Sequence, residues 1–328
     1  ATVFLPTRRA GRLFADALLA ATGGGVTLLP KIVPLGDVDE DALAFSEDAP
    51  VLAAPHAIAP VHRRLVLARL VAHWRDTLAR AVEREAVAAG TGATFALADA
   101  LGALFDDLTT AGLPVERMDG LVPDELDRYF RVGLDFVRIA RRAFTAYLDE
   151  AGLVEPAARR DALVDAEARR LTALGRAAGP VIAAGSTGSM PATARLLAAI
   201  AELPLGAVVL PGLDLDLDDP SFARITDPRD PAPDHPQYGL SRLIARMGVT
   251  RAEVGALAPP APHGRERLAS EALRQAETSD LWARLPERLP APALARAMAG
   301  VSVVEADDPR AEAVAIALVL RDALERPG

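Results

Sequence analysis

The chain of 328 residues has no cysteine. This absence excludes disulfides, cysteine-ligated zinc, iron–sulfur clusters and cysteine nucleophiles within these residues. Aromatic residues make up only 4% although 51% of the residues are hydrophobic, so the cores must be built mainly from alanine, leucine and valine. Lys31 is the only lysine among 36 basic residues, a bias expected of a GC-rich genome. Arginine content alone therefore does not indicate nucleic-acid binding.

Positive charge is not in excess either. The net charge is −9 and the isoelectric point is near 5.2, so any contact with DNA must be made by a local basic patch. No run of about 18 apolar residues predicts a membrane span, and no charged-then-apolar start predicts a signal peptide. We therefore expect a cytoplasmic protein without membrane contact. Because the chain starts on a predicted strand and stops just after a predicted helix, we expect a fragment of a longer protein.

Short apolar runs followed by helices predict an α/β fold with a parallel sheet covered on both faces. Proline- and aspartate-rich connections are expected over 31–60 and 214–236. The predicted strands are residues 3–5, 26–29, 181–184, 207–210 and 301–305.

A helical block lies between the strand–helix units, because apolar residues recur there at spacings of three and four. Its predicted buried faces include Leu67, Val71 and Trp74, then Leu101 and Phe105, then Phe136, Ala140 and Phe144 on a helix opened by Pro123. The expected domain plan is a first part of the α/β domain (1–59), a helical insertion (60–178), a second part of the α/β domain (179–254), a linker with a helix (255–299) and the start of a second α/β domain (300–328).

The first strand–helix turn carries Thr7, Arg8 and Arg9. Thr7 is predicted to cap the helix, which places both arginines in the first turn, where the helix dipole disfavours cations by roughly 0.3–1 kcal/mol. In a parallel sheet this turn lies at the carboxyl edge, where ligands bind. Backbone N–H groups and guanidinium forks there suit a phosphate. The alternative is a pair of solvated arginines beside nearby acids.

A second candidate is the loop Gly185, Ser186, Thr187, Gly188 and Ser189, which precedes a helix. Glycines and hydroxyls are typical of an anion-binding nest, and the alternative is a tight turn rich in capping residues. The phosphate-binding patterns G-x-x-x-x-G-K-[ST] and G-x-G-x-x-G are both absent, as are H-E-x-x-H and G-x-S-x-G.

A third candidate is an arginine stripe on the helix that Pro123 opens. At about 100° per residue, its members fall within an arc of roughly 80°, which suits a nucleic-acid backbone. The alternative is an ordinary polar face, because Asp127 and Asp135 interrupt the arginine stripe. The stripe consists of Arg128, Arg131, Arg138 and Arg142.

A fourth candidate is the acidic run that contains Asp214 and Asp216. Alternate carboxylates on an extended segment suit Mg²⁺ or Mn²⁺, and the alternative is a solvated acidic loop. The stretch His235-Pro236-Gln237-Tyr238-Gly239 also stands out, although its residue types specify no chemistry.

Several segments together resemble one family. VFLPTRRAGRLFADAL resembles the DNA-contacting segment called motif Ia in UvrD/RecB-type superfamily-1 helicases. The segments LLPKIVPLGDVDED, VIAAGSTGSMPATARLLAAI, AVVLPGLDLDLDD, HPQYGLSRLIARMGV and VSVVEADDPRAEAVAIAL resemble the AddB family, the second subunits of AddAB helicase–nucleases, in its alphaproteobacterial form.

The resemblance implies a superfamily-1 helicase-like (RecA-like) fold and a role in processing double-strand DNA ends for recombination. It implies that Thr7, Arg8 and Arg9 contact single-stranded DNA, and that an AddA-type motor subunit is the partner in a heterodimer. The helicase-like half of such subunits has lost motor function and scans the strand for a hotspot sequence. ATP with Mg²⁺ and an iron–sulfur cluster are implied only for the full complex.

The positions at which this chain differs from the helicase motifs agree with a loss of ATP-driven motor function. Where helicases carry an acidic motif after a strand, this chain has Val181–Ala184 followed by glycine, serine and threonine, which leaves no acidic pair to hold Mg²⁺. We therefore expect residues 185–189 to be a vestigial nucleotide-site loop without ATPase activity. The leading hypothesis is a non-catalytic region that tracks single-stranded DNA and scaffolds the motor. The alternatives are a metal-dependent nucleotide-sugar transferase that uses Asp214 and Asp216, and a pure protein-interaction scaffold.

Overall fold

The computed structural model describes residues 1–23, 27–35, 55–80, 90–118 and 128–326. The chain divides into two compact units, the first formed by Ala1–Leu213 and Thr226–Val254, the second by Asp214–Ile225 and Gly255–Gly328. Within the described ranges, no helix is both long enough and apolar enough to cross a membrane.

The first unit contains short strands and longer helices. The strands are β1 (Thr2–Leu5), β2 (Lys31–Pro34), β3 (His56–Ala57), β4 (Leu153–Val154), β5 (Val181–Ala184) and β6 (Gly206–Val209). The helices are α1 (Arg8–Ala21), α2 (Pro60–Arg80), α3 (Thr91–Ala111), α4 (Arg128–Ala151), α5 (Pro156–Leu174), α6 (Pro191–Ala201) and, after a short helix α7 (Asp219–Arg224) of the second unit, α8 (Tyr238–Arg246).

Four strands form a parallel sheet in the order β2-β1-β5-β6. Phe4 in β1 pairs with Val33 on one side and with Ala183 on the other. The α/β class and the parallel sheet predicted from the apolar runs are thus confirmed.

The strand predicted over 26–29 is wrong, because the chain is irregular over 27–30 and strand β2 starts at Lys31. Val26 lies outside the described residues. Ile32 and Val33 are β-branched and suit a strand, while Lys31 and Pro34 are residue types tolerated at a sheet edge. The connection predicted over 31–60 therefore begins with an edge strand, and 36–54 lie outside the described residues.

Helices cover the two faces of the sheet. Phe4, Val33 and Ala183 face a core shared with α5 and α6. On the other face, a Cβ built on Gly11 of α1 would lie 3.1 Å from Cγ2 of Ile32, so the helix approaches the sheet closely there. The crossover from β1 to β2 and the crossover from β5 to β6 run in opposite directions. The chain therefore has its topological switch point between β1 and β5.

The helical block has its own core. Phe105 and Phe144 are fully buried and stack with ring centroids 5.9 Å apart, and Trp74 stacks on Phe136 at 4.0 Å. The buried faces predicted for α2, α3 and α4 are confirmed at Leu67, Val71, Leu101, Phe105, Phe136, Ala140 and Phe144. The helix start predicted at Pro123 lies outside the described residues.

The second unit contains several short helices and one longer helix. They are α7, α9 (Arg265–Ala272), α10 (Leu285–Arg288), α11 (Ala291–Met298) and α12 (Pro309–Glu325), with a 3-10 segment over Ala276–Arg284. The loop predicted over 214–236 is thus interrupted by α7. The strand predicted over 301–305 is not formed. Val303 and Val304 are 85% and 72% exposed, and no described strand pairs with them.

Candidate functional site

The β1–α1 turn and the β5–α6 loop meet at the topological switch point. A Cβ built on Gly185, which has φ +80°, would lie only 3.2 Å from Cγ of Pro6. A side chain at position 185 is therefore disfavoured by both backbone strain and contact. In consequence, the turn that carries Thr7 and the loop that carries Ser186 lie side by side at the carboxyl edge of the sheet, where open α/β sheets bind ligands.

Thr7 caps α1 as predicted, since its Oγ1 accepts a hydrogen bond of 3.1 Å from the backbone N–H of Ala10. Arg8 and Arg9 are exposed in the first turn, which contains no acidic residue. Arg9 has no carboxylate partner among the described residues. Both arginines therefore stand at the positive end of the helix dipole, at the switch point. Their contact with phosphate stays a prediction.

The β5–α6 loop is a tight turn. Ser186 Oγ accepts a hydrogen bond of 3.3 Å from the backbone N–H of Gly188, which has φ +63°. Thr187 and Ser189 are exposed. The loop holds no carboxylate, so the residues that the resemblance aligns with an acidic motif supply hydroxyls and backbone N–H groups instead.

A cleft of about 830 Å³ opens beside this loop, within the first unit. Helix α8 lines one side and the β5–α6 loop another, and Pro233, His235 and Pro236 also line the cleft. Its lining contains two arginines and a histidine but no aspartate or glutamate, in a chain whose net charge is −9. The polar and charged side chains of the lining are Thr187, Ser189, Thr226, His235, Tyr238, Arg242 and Arg246.

Arg242 and Arg246 on helix α8 were not predicted as site residues, and Tyr238 was singled out only as part of the stretch 235–239. Tyr238, Arg242 and Arg246 follow one another at intervals of four, so they share one helix face. The Cζ atom of Arg242 lies 5.6 Å from the centroid of the Tyr238 ring. A signal was present, because residues 235–252 contain no acidic residue although the chain has 45.

The stretch His235-Pro236-Gln237-Tyr238-Gly239 holds this helix in place. The Gln237 backbone N–H donates to Nδ1 of His235 at 3.1 Å, and Gln237 Nε2 donates to the carbonyl oxygen of Gly212 at 3.0 Å. A Cβ built on Gly239 would lie 3.5 Å from the carbonyl oxygen of Thr187, so α8 starts in contact with the β5–α6 loop. The motif therefore positions the cleft walls.

The arginine stripe on α4 is only partly described, since the side chains of Arg128 and Arg131 lie outside the described residues. Arg138 donates a hydrogen bond of 3.0 Å to Asp135, which is the ion pair expected on an ordinary polar helix face. Arg142 is exposed. Arg142 forms no hydrogen bond or ion pair with the described residues of the switch-point loops.

The acidic run is held by its own backbone. Asp214 Oδ1 accepts hydrogen bonds of 2.9 Å from the N–H groups of Asp216 and Leu217. Burial raises the pKa of Asp216, Arg267 opposes the rise, and Asp214 with other nearby carboxylates adds to it. Among the described residues, no group of three or more histidine, aspartate or glutamate side chains is placed to hold a metal ion.

Comparison with known proteins finds no matching family model, no similar curated protein and no matching solved structure. The function therefore has to be argued from the site itself.

Proposed function

We propose that this chain is a RecA-like, helicase-like region that binds single-stranded DNA along the carboxyl edge of its sheet and has no catalytic activity of its own. In this proposal it acts in the cytoplasm as part of an AddB-type subunit of a double-strand-break repair helicase–nuclease, and it scaffolds an AddA-type motor subunit. The observation that carries the proposal is the meeting of the Thr7–Arg9 turn with the loop 185–189 at the switch point.

The electrostatics of this edge support a phosphate-bearing ligand. A strand that crosses the first turn of α1 would meet Arg8, Arg9 and the positive end of the helix together. The adjoining cleft adds two arginines and no carboxylate. The net charge of −9 restricts DNA to such a local patch, because elsewhere the acidic surface repels phosphates.

The proposal includes no ATP hydrolysis by these residues. Glycines and hydroxyls occupy the loop after β5, and a carboxylate to orient Mg²⁺ and water is missing from it. The chain also has no cysteine for an iron–sulfur cluster. ATP, Mg²⁺ and such a cluster are assigned to other parts of the full complex.

The test is the affinity of the 328-residue chain for fluorescein-labelled oligo(dT), measured by anisotropy. We expect Arg8→Ala/Arg9→Ala to weaken binding about tenfold, because two phosphate contacts are lost. The control is Arg169→Ala/Arg176→Ala, which removes two exposed arginines, the second of them just before the amino end of β5.

The control is expected to bind like the wild type. Equal affinities of the wild type and the Arg8/Arg9 variant would contradict the proposal. Absence of binding even at about 50 mM salt would favour the pure protein-interaction scaffold.

A further inference from the structure

Two arginines of the cleft have no neutralising partner in the described part of the chain. Arg242 and Arg246 are exposed, lie one helical turn apart on α8, and form no ion pair or hydrogen bond with a described residue. By contrast, exposed Arg195 forms two hydrogen bonds of 2.7 Å with Asp165. A concave surface that carries cations without carboxylates attracts anions from solvent.

Tyr238 orients Arg242 and leaves the N–H donors of that arginine available for other hydrogen bonds. The guanidinium carbon of Arg242 lies 5.6 Å from the centroid of the Tyr238 ring. A cation–π contact holds a guanidinium by its face and leaves its N–H groups unused. The fork of Arg242 therefore stays available for two parallel hydrogen bonds, which is the geometry that matches a phosphate.

The remaining lining fits a phosphate that is attached to a larger body. Thr187 and Ser189 bring hydroxyl groups, while Pro191, Ala194 and Leu243 form an apolar wall. The volume of about 830 Å³ lies within the range of roughly 300–1,000 Å³ that is usual for small-molecule sites. An anionic group beside an apolar surface suits a nucleotide better than a free inorganic ion.

We infer that this cleft binds the phosphate group of a nucleotide, with Arg242 as the fork, Arg246 as the second cation and Tyr238 as the positioning residue. The inference rests on the proposed function in one respect, because it takes the phosphate to belong to a nucleotide. A bound DNA strand and a free nucleotide carry the same chemistry, and the experiment separates these two sources.

The experiment compares the wild-type chain, Arg242→Gln/Arg246→Gln and Arg169→Gln/Arg176→Gln, all confirmed as folded by circular dichroism. The probes are labelled oligo(dT), followed by anisotropy, and thymidine monophosphate, followed by calorimetry with thymidine as the phosphate-free control. We expect the α8 variant to lose about tenfold in affinity for the probe that the wild type binds, because two phosphate contacts are removed. The charge-matched variant should keep wild-type affinity.

The outcomes separate this inference from the proposed function. A loss confined to oligo(dT) identifies a strand phosphate, and a loss for thymidine monophosphate without oligo(dT) binding supports the cleft while it contradicts the DNA-binding proposal. Wild-type affinity of the α8 variant for both probes overturns the inference, even where Arg8→Ala/Arg9→Ala weakens oligo(dT) binding. An equal loss in the charge-matched variant, or no binding of either probe by the wild type, overturns it too.

Tyr238 gives a second readout. Tyr238→Leu removes the ring that orients Arg242 and is expected to weaken phosphate binding about two- to fivefold. Tyr238→Phe keeps the ring and should therefore bind phosphate like the wild type. If both substitutions have the same effect, the assignment of Tyr238 as a positioning residue is wrong.

Discussion

The Gly188 backbone and the Leu243 side chain are in direct contact. A Cβ built on Gly188 would lie 3.0 Å from Cδ1 and 3.2 Å from Cδ2 of Leu243, which is 1% exposed. The β5–α6 loop and helix α8 therefore pack against each other through a position that only glycine fills without displacement. This packing fixes two walls of the cleft before any ligand enters.

Gly188→Ala should accordingly destabilise the first unit by more than its backbone strain alone. Its φ of +63° disfavours an L side chain by about 1–2 kcal/mol, and the contact with Leu243 adds to that. Gly212→Ala is the matched control, because Gly212 has φ +62° and nothing within 4 Å of a built Cβ. Denaturant unfolding measures both, and equal losses would show that the contact with Leu243 contributes nothing.

The helical block depends on one buried carboxylate. Glu155 has a side chain only 5% exposed and receives hydrogen bonds from Arg141 at 2.6 Å, Thr109 at 2.9 Å and Arg63 at 3.4 Å. Glu155→Ala leaves two guanidinium groups without this partner, so we expect a loss of about 3 kcal/mol in the free energy of unfolding.

An exposed pair in the same block gives the comparison for Glu155. Arg64 and Asp99 bond at 2.7 Å, but their side chains are 53% and 51% exposed. Asp99→Ala should therefore lower the free energy of unfolding by less than about 1 kcal/mol. The account of Glu155 fails if the two alanine variants unfold at the same denaturant concentration.

Asp218 makes the second unit sensitive to acid. Partial burial favours its neutral form, but hydrogen bonds from the Ser221 hydroxyl and N–H and from Arg274 prevail and lower its pKa to about 2. Because this pKa lies below the ordinary value of 3.8, the carboxylate stabilises the fold fully above about pH 4, and this contribution disappears as the pH falls through 2.

Asp218→Asn isolates that charge, since asparagine caps α7 as well as aspartate does. We expect a loss of about 1 kcal/mol at neutral pH, limited because the Asp218 side chain is 37% exposed. Fluorescence of Trp282 reports the second unit when Trp74, the other tryptophan, is replaced by phenylalanine. A difference between variant and wild type that persists undiminished at pH 2 would contradict the role of the charge.

Asp214 and Asp216 offer a test of the sugar-transferase alternative. The Oδ1 atom of Asp214 is occupied by two backbone N–H groups, so a metal ion there would compete with the loop that holds it. We expect Mn²⁺, with or without a nucleotide sugar, to leave the melting temperature unchanged. A rise that Asp214→Asn/Asp216→Asn abolishes would instead support the metal-dependent enzyme.

Strands β1, β5 and β6 were predictable because they consist mainly of apolar residues, as strands of a parallel sheet covered on its faces do. Strand β2 was not predictable, because Lys31 and Pro34 flank only two apolar residues and the position of the strand depends on its pairing with β1. For residues 301–305 the error was the opposite one, because a strand was predicted there and is not formed. The valines of this segment favour a strand, but a strand also needs a partner, which local sequence does not reveal.

The part of the candidate site that follows from the direction of the parallel strands was predictable. Thr7 and the loop 185–189 each come after a strand of a parallel sheet, so both had to lie at its carboxyl edge. The contribution of α8 depends instead on long-range packing of Leu243 against Gly188, which brings Arg242 and Arg246 to the loop. Only the acid-free stretch around them was visible in the sequence.

The most direct test of the account is the salt dependence of oligo(dT) binding by the wild-type chain and by Arg8→Ala/Arg9→Ala, between about 50 and 200 mM salt. If the carboxyl edge binds a DNA backbone, log K falls linearly with log salt, with a slope of about −0.7 for each phosphate contacted, and the variant's slope is shallower by about 1.4. A wild-type affinity that does not change with salt, or an identical slope in the variant, would contradict DNA binding at the first strand–helix turn.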